Sequence, residues 1–224
     1  MIAFIADIHG NYPALFAVFE DLKRYKITQI YSLGDVAGYY PLVNECIELL
    51  RDSNVINILG NHDNYLVNDI KCERSSKVNL AIEYQRKIIT KENLAWLKNS
   101  PSSIETNDFF AVHGGFNDYL EEYSDDSIIE KYEFPRRIFL CGHTHIAKYA
   151  RRWDKTFCNP GSVGQPRDKK SSASYALYSD DTGLYHKRVN YDIPYIVQAT
   201  KDAGFSSDFY EGLYTGEPIG AKGK

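Results

Sequence analysis

Val55-Ile56-Asn57-Ile58-Leu59-Gly60-Asn61-His62-Asp63 runs from a largely apolar stretch through one glycine into three side chains that can bind a metal, a phosphate or a proton. A short apolar run suits a buried strand, and glycine lets the backbone turn sharply where the strand ends. The same punctuation recurs along the chain. Ile2–Ile5 leads to Asp7-Ile8-His9-Gly10, and Ile30–Leu33 to Gly34-Asp35. Phe109–Val112 leads to His113-Gly114-Gly115, and Ile138–Cys141 to Gly142-His143-Thr144-His145. Five of the six histidines lie in these loops, and only His186 lies outside them. In open α/β sheets the reactive groups gather beyond the carboxyl ends of the strands. The pattern therefore predicts an α/β enzyme with its chemistry collected at one end of a sheet.

Length and charge bound the rest. A chain of 224 residues fits one domain with a full hydrophobic core, read as residues 1–216 with a flexible tail over 217–224. The net charge of -4 gives no basic footprint for nucleic acid. Cys46, Cys72, Cys141 and Cys158 form no CxxC pair, so they read as reduced thiols. No apolar run is long enough to span a bilayer, and Met1 leads straight into a strand without a basic flank. The expected compartment is the cytoplasm, and no membrane partner is expected.

Taken in order, Ile2–Ala6 predicts a buried strand and Leu15, Phe16, Phe19 and Leu22 a helix face. Ile27–Leu33 predicts the next strand, parallel to the first. Leu42, Val43, Cys46, Ile47 and Leu50 make a second helical stripe, and Val55–Leu59 a third strand. Asp63–Ser76 reads as an irregular loop at the mouth of the site, with charge at Lys71, Glu73, Arg74 and Lys77. Helices follow around Leu80–Ile89 and Leu94–Leu97, then a hairpin turning at Asn107–Asp108. Asp118–Tyr132 reads as mixed, with a helix in its second half. Ile138–Cys141 is a central strand, Ile146–Cys158 a hairpin turning at Asp154–Lys155, and Ser174–Val189 another hairpin. This strand-rich half suggests a second sheet packed on the first. Ile193–Ala203 is a helix closed by Gly204, and residues from Gly216 onward are expected to fray.

Seven side chains stand out as metal-ligand candidates: Asp7, His9, Asp35, Asn61, His113, His143 and His145. Alone, Asp-x-His reads as a cap, Gly-Asp as a turn, and His113 as a hydrogen-bonded core histidine. Their joint occurrence at five strand ends argues for one site. Mixed imidazole and carboxylate donors suit Mn, Fe or Zn better than Mg. Two close cations need a shared anion, and Asp35, in the middle of the series, is the natural bridge. The expected cofactor is two divalent or trivalent transition-metal ions per chain.

These motifs, in this order, resemble the calcineurin-like metallophosphoesterases over roughly Met1 to Val189. The resemblance implies two mixed β-sheets packed together with helices outside, an α/β/β/α sandwich. It implies one metal on Asp7, His9, Asp35 and His145, and another on Asp35, Asn61, His113 and His143. His62 would face the leaving group, with Asp63 as its orienting partner. The stretches Ala6–Asn11, Gly34–Tyr39 and Asn159–Arg167 look like the small prokaryotic branch, which includes phosphodiesterases and enzymes resembling dinucleoside tetraphosphate hydrolases. Protein phosphatases of the wider family carry an arginine after Gly-Asp that grips the dianionic monoester. Here that stretch is Ala37-Gly38-Tyr39, and tyrosine cannot supply bidentate donors.

The expectation is thus a metal-dependent hydrolase of phosphate esters or anhydrides, a phosphodiesterase or nucleotide hydrolase acting on a small phosphorylated substrate. Alternatives are a phosphomonoesterase or Ser/Thr-type protein phosphatase, and a non-enzymatic protein-binding scaffold of the same fold. Asn11, Tyr39, Asn64 and Arg167 are the candidate substrate-binding residues. The physiological substrate, the native metals and the oligomeric state stay open, a homo-oligomer included.

Overall fold

The computed structural model describes residues 1–131 and 137–220. Its first half builds β1 (Ile2–Ile5), α1 (Tyr12–Leu22), β2 (Gln29–Ser32), α2 (Val43–Asp52) and β3 (Ile56–Asn57). Then come α3 (Asn61–Val67), α4 (Ser76–Ile88), α5 (Lys91–Lys98), β4 (Ser103–Glu105), β5 (Phe109–Val112) and α6 (Ile128–Lys131). The remainder is β6 (Ile138–Leu140), β7 (Lys148–Arg152), β8 (Lys155–Asn159), β9 (Ala173–Ser179), β10 (Gly183–Val189) and α7 (Ile193–Asp202). Two short 3-10 turns, Ser207–Phe209 and Glu211–Tyr214, close the described chain.

Two five-stranded mixed sheets result, in the orders β10-β9-β1-β2-β3 and β4-β5-β6-β8-β7. Strand alternation decides what each face meets. On β1, Phe4 joins the layer between the sheets, while Ala3 and Ile5 pack under the helices. On β5, Phe109 and Ala111 face the first sheet, and Phe110 and Val112 face α6. The middle layer also holds Leu33, Ile58, Leu140 and Ala176. The architecture is the expected α/β/β/α sandwich.

Several local expectations change. The first turn of the stretch read as a loop from Asp63 is helical: α3 begins at Asn61 and runs to Val67. Its polar side chains hid it, because they serve the site and the cap instead of forming an apolar stripe. The β9–β10 hairpin does not belong to the second sheet; β9 pairs antiparallel with β1, Phe4 opposite Ala176. The β7–β8 turn is Trp153–Asp154, since Arg152 pairs with Lys155, and Trp153 takes φ 54°. The stretch expected to fray is tied down as far as Gly220. Gly216 accepts from Lys169 N at 3.0 Å, and Gly220 N donates to the Asp208 carbonyl at 3.0 Å. Tyr132 and residues 221–224 lie outside the described residues.

Candidate metal centre

The loops after β1, β2, β3, β5 and β6 meet at one end of the sandwich. Backbone bonds lace the first two together: Asp7 N donates to Gly34 O at 3.0 Å, and Ile8 N and His9 N both donate to Asp35 O at 2.8 and 2.9 Å. The connection is tight enough to force left-handed backbone at the reactive residues themselves. Asp7, His9, Asp35, His143 and His145 have φ of 54°, 54°, 56°, 65° and 61°. An L-residue there carries a steric cost of about 1–2 kcal/mol, and such strain concentrates where side chains must converge. Gly60 is required by proximity: a Cβ there would lie 2.1 Å from Asp35 Oδ1.

Two donor groups form. Asp7, His9, Asp35 and His145 offer ligand atoms within 4.8 Å of one another, as do Asp35, His113 and His143, so Asp35 belongs to both. Asn61 joins the second, with Oδ1 3.1 Å from His113 Nε2. Three histidines are held through Nδ1, which leaves Nε2 for the centre. His9 Nδ1 donates to Ala37 O at 2.9 Å, His113 Nδ1 to Leu33 O at 2.7 Å, and His145 Nδ1 to Gln165 O at 2.6 Å. The inward nitrogens of His9 and His145 then face each other at 3.0 Å, an arrangement that favours a cation between them. Asp7 Oδ2 and His143 Nε2 are buried with no hydrogen-bond partner among the described residues. Bare acceptors of this kind are costly to bury, and together they fit metal ligation.

Charge in this interior is strongly managed. Burial pushes Asp7 up to about 7, against the pull of His113. Burial would also raise Asp35, but the surrounding His113, His62 and His9 outweigh it and hold Asp35 well below the usual carboxylate range. His113 is opposed by burial yet raised to about 10 by Asp35. Burial lowers His62 to about 4 and His143 to about 3, and drives His9 and His145 well below the ordinary imidazole value.

The remaining predicted residues divide. His62 is buried and lines the cavity over the centre, with Nε2 4.0 Å from Asp35 Oδ2. Asp63 does not orient it. Its Oδ2 accepts from Asp35 N and Gly60 N at 2.8 and 3.1 Å, and its Oδ1 from Ala37 N at 2.8 Å. As the third residue of α3 it reaches back to the helix start, while His62 Nδ1 has no partner among the described residues. Asn11 is likewise structural: it caps α1 through Ala14 N and donates to Gly164 O at 2.8 Å. Asn64 pairs with Asn68 along α3, away from the cavity. Tyr39 and Arg167 do line the cavity, and Arg167 donates to Tyr39 Oη at 2.9 Å.

Other contributors lie outside the predicted set of site residues. The amide of Gln85, fully buried on α4, accepts from Gly38 N at 2.8 Å and donates to Gly38 O and Tyr40 O at 2.8 and 2.7 Å. Asn159 donates to Gly142 O at 2.6 Å and Thr144 Oγ1 at 3.0 Å, fixing the His143–His145 loop. Arg74 and Tyr123 form the outer wall of a cavity of about 220 Å³. Glu121 pairs with Arg74 and accepts from Tyr65 Oη. The charged stretch around Arg74 pointed to the mouth of the site; Glu121 and Tyr123 sit in a loop with no periodicity to read.

The geometry agrees with what this chain is similar to. Residues 1–183 match the model of the calcineurin-like phosphoesterase superfamily domain. An uncharacterized protein of Methanocaldococcus jannaschii is 35% identical, covering 86% of this chain and 88% of the relative. The crystal structure of a metallophosphoesterase from Sphaerobacter thermophilus superposes with a TM-score of 0.85 at 28% identity, covering 96% of this chain and 98% of that one. A hypothetical protein from Pyrococcus horikoshii shares the fold, with a TM-score of 0.81 at 24% identity over 96% of this chain and 99% of its own. Two His/Asp groups able to hold divalent cations, set in such a domain, fit metal-dependent hydrolysis of phosphoester or anhydride bonds. The chain belongs to the calcineurin-like phosphoesterase superfamily.

Proposed function

We propose that this protein is a dinuclear phosphodiesterase or nucleotide hydrolase. The observation that carries the reading is the sharing of Asp35 between two donor groups, the arrangement a pair of neighbouring cations needs. Asp7, His9, Asp35 and His145 would hold one ion, and Asp35, Asn61, His113 and His143 the other. Bound there, the metals supply an activated water and neutralise charge on the phosphoryl oxygens.

The chain's own groups do the rest. His62 lines the cavity over the centre; as the imidazolium it gives its proton to the departing oxygen as that oxygen gains charge, and is left as the neutral ring that burial favours. Arg167 receives an anion on the wall of the cavity; no described carboxylate forms an ion pair with it, and its contacts go to Tyr39 Oη and Gln165 Oε1. Arg74 is neutralised by Glu121. One uncompensated guanidinium suits a singly charged phosphodiester better than a doubly charged monoester.

The test is a screen of Mn-loaded protein against dinucleoside polyphosphates, cyclic nucleotides, generic diesters, monoesters and phosphopeptides. Turnover of diesters or anhydrides well above monoesters and phosphopeptides is the expected result. Equal or better monoester turnover overturns the diester reading. Absence of any turnover at full metal loading favours a binding scaffold.

A further inference from the structure

The mouth of the cavity holds a charge pair that neither the metals nor the leaving group uses. Arg74, at the end of the segment after α3, and Glu121, in the segment after β5, form an ion pair and hydrogen bond beside Tyr65 Oη, which donates to the same carboxylate. The pair is not a remote surface contact. Asn61 Nδ2 lies 3.5 Å from Glu121 Oε2. The guanidinium carbon sits 5.9 Å from the centre of the Tyr123 ring, and that ring packs on His143 with centroids 4.3 Å apart. The side chain of Arg74 is 53% exposed and that of Glu121 31%, so an incoming anion can reach the guanidinium.

We propose that Glu121 is a specificity-determining residue: by engaging Arg74 it withholds a second cation from the substrate phosphoryl group and so discriminates against phosphomonoesters. The inference rests on the diester reading of the same site. A carboxylate that holds a guanidinium nitrogen of Arg74 competes with a phosphoryl dianion for the same donors. A monoester dianion needs that second cation more than a diester monoanion does. Converting Glu121 to Gln removes the negative charge and keeps one amide oxygen, which can still accept from Tyr65 Oη, while the amide N–H₂ takes the place of the oxygen that meets Arg74 and Asn61. Arg74 then becomes available to the substrate, and the long 3.5 Å contact to Asn61 Nδ2 is given up with it, which is why metal content is measured alongside.

The experiment measures kcat/KM for p-nitrophenyl phosphate and bis-p-nitrophenyl phosphate, with metal content, in Mn-loaded wild type, Glu121→Gln, Arg74→Met and the double variant. In Glu121→Gln the monoester-to-diester ratio should rise by about tenfold or more, the scale of one hydrogen bond to a charged group, with metal content unchanged. In Arg74→Met the ratio should fall, since an unpaired Glu121 carboxylate then faces the substrate; this variant leaves the Asn61 contact untouched. In the double variant the gain should vanish. An unchanged ratio in Glu121→Gln at full metal content overturns the inference. So does an unchanged ratio in Arg74→Met, or a gain that survives in the double variant. Failure of the underlying reading shows separately, as a wild-type preference for the monoester.

Discussion

The imidazole of His62 is buried and faces the same cavity as the metal-ligand candidates, yet it belongs to neither donor group. That placement separates turnover from metal binding. His62→Asn should keep both ions and lose rate by about 10²–10⁴-fold, the usual contribution of a positioned acid. The loss should be smallest for a nitrophenolate leaving group, which needs little protonation, and largest for an alkoxide or ribose hydroxyl. Metal analysis and kcat across a leaving-group series check this; a uniform loss removes His62 from the acid role, and a missing ion places it among the ligands. The neighbouring Asp63 illustrates the limit of reading residues one at a time. Its position after Asn61-His62 suggests a partner for the imidazole. A carboxylate three residues past a helix start also satisfies backbone N–H groups, and here that use prevails. The sequence of such a motif does not say which donors lie within reach.

At the scale of elements, α3 and α4 act as clamps on the ligand loops. Asp63 on α3 ties together the backbones of Asp35, Ala37 and Gly60, and Gln85 on α4 holds Gly38 and Tyr40. Asp63→Asn places an N–H₂ where two of three backbone donors need an acceptor or leaves one of them bare. The expected cost is about 1–3 kcal/mol, seen as a lower Tm, together with loss of metal because the Asp35 loop is released. The rate loss should be the same across the leaving-group series, unlike that of His62→Asn, and leaving-group-dependent loss at full metal content would restore Asp63 to an orienting role. The strands were legible because continuous apolar runs such as Ile2–Ile5 and Phe109–Val112 admit few other structures. The start of α3 was not, because its first residues are spent on the site. Asn11 is a related case: a polar residue next to a motif can be a helix cap as readily as a substrate contact, and here it caps α1.

At the scale of the whole molecule, the centre is a joint between two sheets. Asp7, His9, Asp35 and Asn61 come from the ends of the first sheet, and His113, His143 and His145 from the second. The two His/Asp donor groups are legible in the chain because every member follows a strand. The return of β9 and β10 to the first sheet could not, since nothing in a hairpin names the strand it will join, and β9 finds its place only by pairing with β1. Each donor group draws on both sheets, so metal binding should clamp the sandwich as well as serve the reaction. Without metal, the facing nitrogens of His9 and His145 at 3.0 Å and the Asp7 carboxyl, pushed up to about 7 by burial, work against closure. Binding to the folded state alone stabilises by about 2.7 kcal/mol per site at a hundredfold excess over Kd, and about 1 kcal/mol moves Tm by about 2–4 °C in a domain of this size. Saturating Mn should therefore raise Tm by about 5–10 °C for each ion held, and anomalous scattering should place two ions about 3.5 Å apart. Asp35→Asn removes the charge common to both groups, so most of the rise should disappear and metal content should fall at both positions. His145→Asn touches only one group and should keep part of the rise. Calorimetric scans with and without metal, paired with metal analysis, distinguish the outcomes: an undiminished rise in Asp35→Asn would mean that the two groups are independent and that Asp35 is not the residue that joins them.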